Sequence, residues 1–354
     1  MLFIDSTNFE RFLKKVSAGG ELYVSVRNAE TGKLHLERIE VFPLPDNLCL
    51  DGYRTVEPLK AFAQLLRFPV AEYPSTEGDD MEGEKAFPAV VVAGARGCDL
   101  GAIGLIDKVE IEGEYTDPFY KIRRDKMFIV GADCSECGKS CFCNLHGGRP
   151  WPEKGYDVAV SKIPGGFLVE AGSERGDKSM KENKELFTEA REAQVKMREE
   201  IRAKVERELA EMNAAYPPSE GMIEIMRAAL GDEIWDDISA RCVECGACTN
   251  ICPTCYCFLL HDQKADASRF QRIFAWDTCQ VTGYARMAGM LNPRPRLTDR
   301  VKHRYYHKYD YLPRSHGAIY CTGCGRCIDT CSAGIDMRDA FRRLKEKAGG
   351  KKKA

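Results

Sequence analysis

Eight of this chain's seventeen cysteines fall in two runs of identical spacing. The first is Cys242-Val-Glu-Cys245-Gly-Ala-Cys248-Thr-Asn-Ile-Cys252, and the second is Cys321-Thr-Gly-Cys324-Gly-Arg-Cys327-Ile-Asp-Thr-Cys331. Each reads C-x2-C-x2-C-x3-C, the spacing with which bacterial ferredoxins hold a pair of [4Fe–4S] cubanes. Three thiolates of one run hold one cube, and the fourth crosses to the other. The expected sets are Cys242, Cys245, Cys248 and Cys331 for one cluster, and Cys321, Cys324, Cys327 and Cys252 for the second. Gly246 and Gly325 suit tight loops in which a Cβ would crowd the cluster. Pro253 closes the first run as the pattern asks, whereas Ser332 takes the place of the second proline.

Two other chemistries compete for these thiols. Pairs of C-x2-C also build four-thiolate zinc sites, but zinc gives no reason for a third and fourth cysteine repeated in both runs. Disulfides belong to small secreted chains, and no secretory signal is read here. Cubanes are the expectation.

A second set, Cys98, Cys134, Cys137, Cys141 and Cys143, lies in the N-terminal half. Its spacing matches no simple ferredoxin pattern, so the residues alone leave open a third iron–sulfur cluster, a zinc site or reduced bystanders. Cys255, Cys257 and Cys279 are read either as buried free thiols or as further ligands. The 68 residues 253–320 between the runs carry Arg269, Arg272, Arg286, Arg294, Arg296, Arg300, Lys302, Arg304 and Lys308. Cations beside a negatively charged thiolate cluster favour its reduced form; the same residues also suit an acidic partner or a plain solvated surface.

Iron capped at every position by cysteine has no open site for substrate, which points to single-electron conduction. The rival is a reductase whose N-terminal cysteine site acts on substrate through Cys137 or Cys143. No G-x-G-x-x-G follows an expected strand, and Gly94-Ala-Arg-Gly97 is a poor substitute, so a dinucleotide site is not expected.

The elements that must position these thiols are mixed. A formal net charge of −2 speaks against a nucleic-acid binder. The longest apolar runs, such as Phe87–Val92 and Met127–Val130, are strand-length, so no membrane span is expected. Seventeen cysteines without secretory features point to a reducing, cytoplasmic setting, in an anaerobic or oxygen-protected compartment. The fold class is α+β. An N-terminal α/β-type domain over 1–175 carries the extra cysteine site. Its expected elements are a helix over 8–16, strands over 21–26, 34–41 and 89–93, a helix after Cys98, a helix over 119–124, a strand over 127–130 and a hairpin about Pro164-Gly165-Gly166. An acidic loop is read at 77–84. A helical connector over 176–234 follows, in which Leu186, Ala190, Ala193, Met197, Ile201, Val205, Leu209 and Met212 fall three or four apart until Pro217-Pro218. It is either a strut for a partner or a helix lying on its own domain, with the second favoured. A bacterial-ferredoxin-like module with a basic insert takes 235–340, and 341–354 is expected to be a disordered basic tail.

Several segments carry a family resemblance. They are Cys98-Asp-Leu-Gly-Ala-Ile, Asp117-Pro-Phe-Tyr-Lys-Ile-Arg-Arg, Val130-Gly-Ala-Asp-Cys134, Cys141-Phe-Cys143, Val169-Glu-Ala-Gly-Ser173, Cys252-Pro-Thr-Cys-Tyr-Cys257, Trp276-Asp-Thr-Cys279, Arg304-Tyr-Tyr-His307-Lys and Cys321-Thr-Gly-Cys-Gly-Arg-Cys327. Over residues 89–340 the chain resembles the iron–sulfur beta subunit of cytosolic sulfhydrogenases. It is also similar to the dicluster electron-transfer component of anaerobic sulfite reductase and to its counterparts in heterodisulfide-reductase-type complexes. The resemblance implies a relay between a flavin subunit that handles NAD(P)H and a catalytic subunit, in a hetero-oligomer. It also implies a third cluster on Cys98, Cys134, Cys141 and Cys143, with Cys137 left over.

Overall fold

The computed structural model describes residues 1–74 and 87–351, with side chains to 348. The acidic loop expected at 77–84 lies outside them. The chain divides into two compact units: Met1–Ala63, Glu84–Met212 and Thr322–Cys324 form the first, and Gln64–Gly83, Asn213–Cys321 and Gly325–Ala354 the second.

The first unit is built on an eight-stranded mixed sheet. Its strands are β1 (Leu2–Asp5), β2 (Glu21–Arg27), β3 (Leu34–Ile39), β5 (Val90–Ala95), β6 (Met127–Ala132), β7 (Val158–Ile163), β8 (Gly166–Ala171) and β9 (Thr188–Glu189), in the order β3-β2-β5-β6-β7-β8-β1-β9. Strands β2, β5, β6 and β7 run parallel, and the edges are antiparallel. Alternation within the central strands shows why they are continuously apolar. Val91, Ala93, Phe128 and Val130 join one core cluster, while Val92, Met127 and Ile129 join another. Both faces of the sheet are therefore covered, as parallel strands require. The register shifts between Ala93 and Ala95, and the chain turns directly into the helix Gly97–Glu110. Neighbouring β6 ends one residue before Asp133 and two before Cys134. Adjacent carboxyl ends of parallel strands thus deliver Cys98 and Cys134 to one edge, the usual place for a site in such sheets.

The connector departs from its sequence pattern. Leu186 and Phe187 are buried in the core, with Phe187 edge-on to Phe12 at 5.4 Å. The chain there makes a short 3-10 turn and then β9 against β1, so the long helix begins only at Glu192 and ends at Met212. It lies on its own unit: Arg202 grips Asp133 through Nε (2.7 Å) and Nη2 (3.1 Å), and Asp133 also accepts from Ser161 (2.8 Å).

The second unit contains a three-stranded sheet, β10 (Phe258–Lys264), β11 (Phe270–Trp276) and β4 (Arg67–Tyr73), in the order β10-β11-β4. None of these three strands was legible in the sequence. Its helical core sets Trp235 against Tyr305 and Tyr306, and Tyr309 against Phe341. That packing corrects the expected disordered tail from 341. Ala340, Phe341 and Leu344 are buried, and a helix runs Met337–Lys351. Beyond it, only 352–354 lie outside the described residues.

Candidate metal centres

The first run winds through two left-handed residues, Glu244 and Gly246, into the short helix Ala247–Asn250. A Cβ on Gly246 would meet Thr278 Cγ2 at 2.8 Å. The crowding expected at this glycine therefore comes from the insert, while its φ of +70° supplies the second need. The insert also fastens the loop from outside. Arg300, buried, donates to the Glu244 carboxylate and to the carbonyls of Gln280 (3.0 Å), Arg294 (3.0 Å) and Pro295 (2.7 Å). Gly325 opens the matching short helix Arg326–Asp329 with φ +74°. The two runs thus share one local conformation.

Cys242, Cys245, Cys248 and Cys331 line a single cavity of about 590 Å³ including its mouth. They are the four thiols the crossed ferredoxin pattern assigns to one cube. Cys327, Val301, Arg304, Tyr305, Ile335 and Met337 complete the wall. Arg304 is buried, and its Nε has no hydrogen-bond partner among the described residues, although Nη2 donates to the Cys248 carbonyl (3.3 Å). A buried orphan N–H costs free energy unless something accepts from it, and sulfur of a cluster in this cavity is a suitable acceptor.

The other set includes Cys252 and Cys324, both buried, with Cys321 and Cys327 half-buried. Thr254 Oγ1 lies 3.4 Å from Cys252 Sγ and donates to the Tyr320 carbonyl at 2.7 Å. Lys308 Nζ donates to the same hydroxyl (2.7 Å) and the same carbonyl (3.1 Å). Cys255 donates to Cys252, which holds the Cys252 thiol well below its ordinary range. Cys257 and Cys279 are hydrogen-bonded to each other, and Tyr284 contacts Cys257. The three cysteines left open by spacing are thus interacting thiols at the base of the β10–β11 hairpin.

In the first unit, Cys98, Cys134, Cys137, Cys141 and Cys143 line a second cavity of about 370 Å³, joined by Cys324 and Leu209. Sequence position groups the five and gives no sign of Cys324. Loop 49–54 is the hidden support. Arg96, almost fully buried, reaches the carbonyls of Cys49, Leu50, Tyr53 and Asp133. Ser135 N donates to Asp51 O (2.7 Å), and Arg54 reaches Ser140 Oγ (3.2 Å) and the Cys324 carbonyl. Phe142 N donates to Gly323 O at 2.8 Å.

Burial pushes the Cys134 thiol up to about 12 and raises Cys143, Cys242 and Cys248 as well. Thiols in such surroundings stay protonated until a metal compensates the thiolate charge, so loading releases protons. The thiols ring cavities, an arrangement that fits a multi-iron cluster.

Gly323 makes this testable. It has φ +64°, and an added Cβ would stand 2.4 Å from Phe142 O and 2.6 Å from Cys143 Cα. Gly323→Ala is expected to cost about 2–3 kcal/mol of stability. It should also lower iron per chain, because the Cys141–Cys143 loop must move. Thermal unfolding and metal analysis of the purified variant check both.

The family described as a 4Fe-4S dicluster domain matches residues 241–335, the stretch that holds both cysteine runs. Over nearly its whole length the chain is similar to sulfhydrogenase 2 subunit beta of Pyrococcus furiosus, with 32% identity over 343 residues, 97% of this chain and 98% of that protein. The chain belongs to the family of that beta subunit. Among the described residues no helix is long and apolar enough to cross a membrane.

Proposed function

We propose that this chain relays single electrons within a hetero-oligomeric redox complex, between a flavin subunit that handles NAD(P)H and a catalytic subunit of hydrogenase, sulfite reductase or heterodisulfide reductase type. The observation that carries the reading is the cavity ringed by Cys242, Cys245, Cys248 and Cys331, one crossed ferredoxin set drawn from both runs. By the same pattern Cys321, Cys324, Cys327 and Cys252 hold the second cluster. When bound, each cluster accepts and returns one electron at a time. The chain's own residues hold the thiols, exclude water with Val301, Tyr305 and Met337, and supply cysteine at every ligand position.

Cys98, Cys134, Cys141 and Cys143 are proposed to hold a third cluster, which extends the wire. Support comes from their common cavity and from Cys324, a member of the second set, on its wall. Cys137 lines the same space and is the proposed spare. The compartment is proposed to be cytoplasmic and kept free of oxygen, since cubanes and reduced thiols need that protection.

Rapid mixing tests the assignment. Anaerobic chain reduced with dithionite and freed of excess reductant should reduce a viologen acceptor in rapid single-electron steps. It should show no steady turnover of sulfite or a heterodisulfide with dithionite as donor. Sustained substrate turnover by the isolated chain would instead support a reductase acting through its N-terminal cysteines.

A further inference from the structure

Six of the insert's basic residues separate into two kinds in the structure. Arg269, Arg272 and Arg296 form exposed ion pairs with Asp266, Asp262 and Asp299, and Arg300 is spent on Glu244 and the loop carbonyls. Arg304 and Lys308 are different. Both are buried, they stand four residues apart on the helix Leu297–Tyr306 and the π turn His307–Tyr311, and among the described residues neither pairs with a carboxylate. Their surroundings are cysteines. Arg304 lines the cavity of Cys242, Cys245, Cys248 and Cys331 with its Nε left over. Lys308 is locked by Thr254 Oγ1 and the carbonyl of Tyr320, the residue before Cys321, and Thr254 in turn touches Cys252.

Resting on the relay reading, we infer that Arg304 and Lys308 are the potential-setting residues of the pair, one cation for each cluster. Arg304 serves the cluster on Cys242, Cys245, Cys248 and Cys331. Lys308 serves the cluster that includes Cys252 and Cys321. The physical ground is direct. Reduction adds negative charge to an already negative thiolate cluster, and a fixed buried cation interacts with that added charge far more strongly than a solvated one. Hydrogen bonds to cluster sulfur act in the same sense. Lys308 is buried, and the Thr254 hydroxyl and the Tyr320 carbonyl fix its ammonium between the Cys252 and Cys321 ends of that set. Arg304 shares its cavity wall with Cys327 of the second set, so its influence spreads to the second cluster, whereas Lys308 is fixed by Thr254 and Tyr320 beside Cys252 and Cys321. Lys308 sits in the π turn, a feature frequent at functional sites.

The test is an EPR-monitored redox titration of the full chain, wild type and with Lys308→Gln and Arg304→Gln. Signals are assigned beforehand by the changes that Cys242→Ser and Cys321→Ser make. Lys308→Gln should move one midpoint, that of the signal altered by Cys321→Ser, to more negative potential and leave the other in place. Arg304→Gln should lower the midpoint of the Cys242-sensitive signal most. Where a neutral variant fails to load iron, Lys308→Arg and Arg304→Lys replace it; they keep the charge but displace the donor, so the largest shift is expected in the same signal as for the neutral variant. Loaded variants whose midpoints match wild type, or in which both signals move equally in both variants, overturn the inference. Wild-type chain with no cubane signals overturns the relay reading itself, a separate outcome.

Discussion

Cys248→Ser is expected to release about four irons per chain and to slow electron delivery to the catalytic partner by more than about 100-fold. Cys248 lines the cavity it shares with Cys242, Cys245 and Cys331, and its carbonyl is held by Arg304. Changing a residue one shell out from a metal typically costs about 10–100-fold in affinity or activity, and a ligand costs more. The chain should stay folded, because the surrounding core of Trp235, Tyr305, Tyr309 and Phe341 does not depend on that sulfur. Cys49→Ser provides the control, since Cys49 faces Arg27 and Asp51 in a half-buried loop and lines neither cavity. Metal analysis and acceptor reduction in the reconstituted complex, measured on both variants, decide the matter. Equal iron in Cys248→Ser and Cys49→Ser would remove Cys248 from the ligand set.

Cys141→Ser is expected to remove a different set of about four irons and to leave the ferredoxin-pair signals unchanged. Cys141 lies beside Cys134, Cys137 and Cys143 in the first unit, where burial raises all three neighbouring thiols. Cys137→Ser should keep its iron, as the spare of the five. The pairing is informative because both residues border one cavity. Iron lost from Cys137→Ser and kept in Cys141→Ser would exchange their roles, and iron kept in both would leave this site without a cluster.

The cysteine runs were legible because ligand spacing is local: a loop that wraps a cube needs its thiols at fixed short intervals. Strands such as β5 and β6 were legible for a similar reason, since burial on both faces leaves runs without a polar side chain. The sheet β10-β11-β4 was not. β4 pairs with a strand about 200 residues away, Phe270 opposite Tyr73, and the exposed Leu259 and Leu260 in β10 blur any alternation. The supports of the sites were also hidden. Arg54 reaches Cys324 across 270 residues of sequence. Arg304 and Lys308 were only two of the nine insert cations named from the sequence, and burial beside cysteines is a property of the fold. The helix boundary at Glu192 and the folded stretch after 341 failed for one shared reason. Periodicity records which residues are apolar, but not whether Leu186 or Phe341 meets a tertiary partner that changes the chain's course.

The relay account rests on how many cubanes one chain carries. Iron and acid-labile sulfide per chain, measured on anaerobically purified protein together with EPR of the dithionite-reduced sample, test it most directly. The account predicts about twelve irons with matching sulfide and interacting S = 1/2 signals from three cubanes. About eight irons would leave only the ferredoxin pair and remove the N-terminal station. Zinc without iron would contradict the relay altogether.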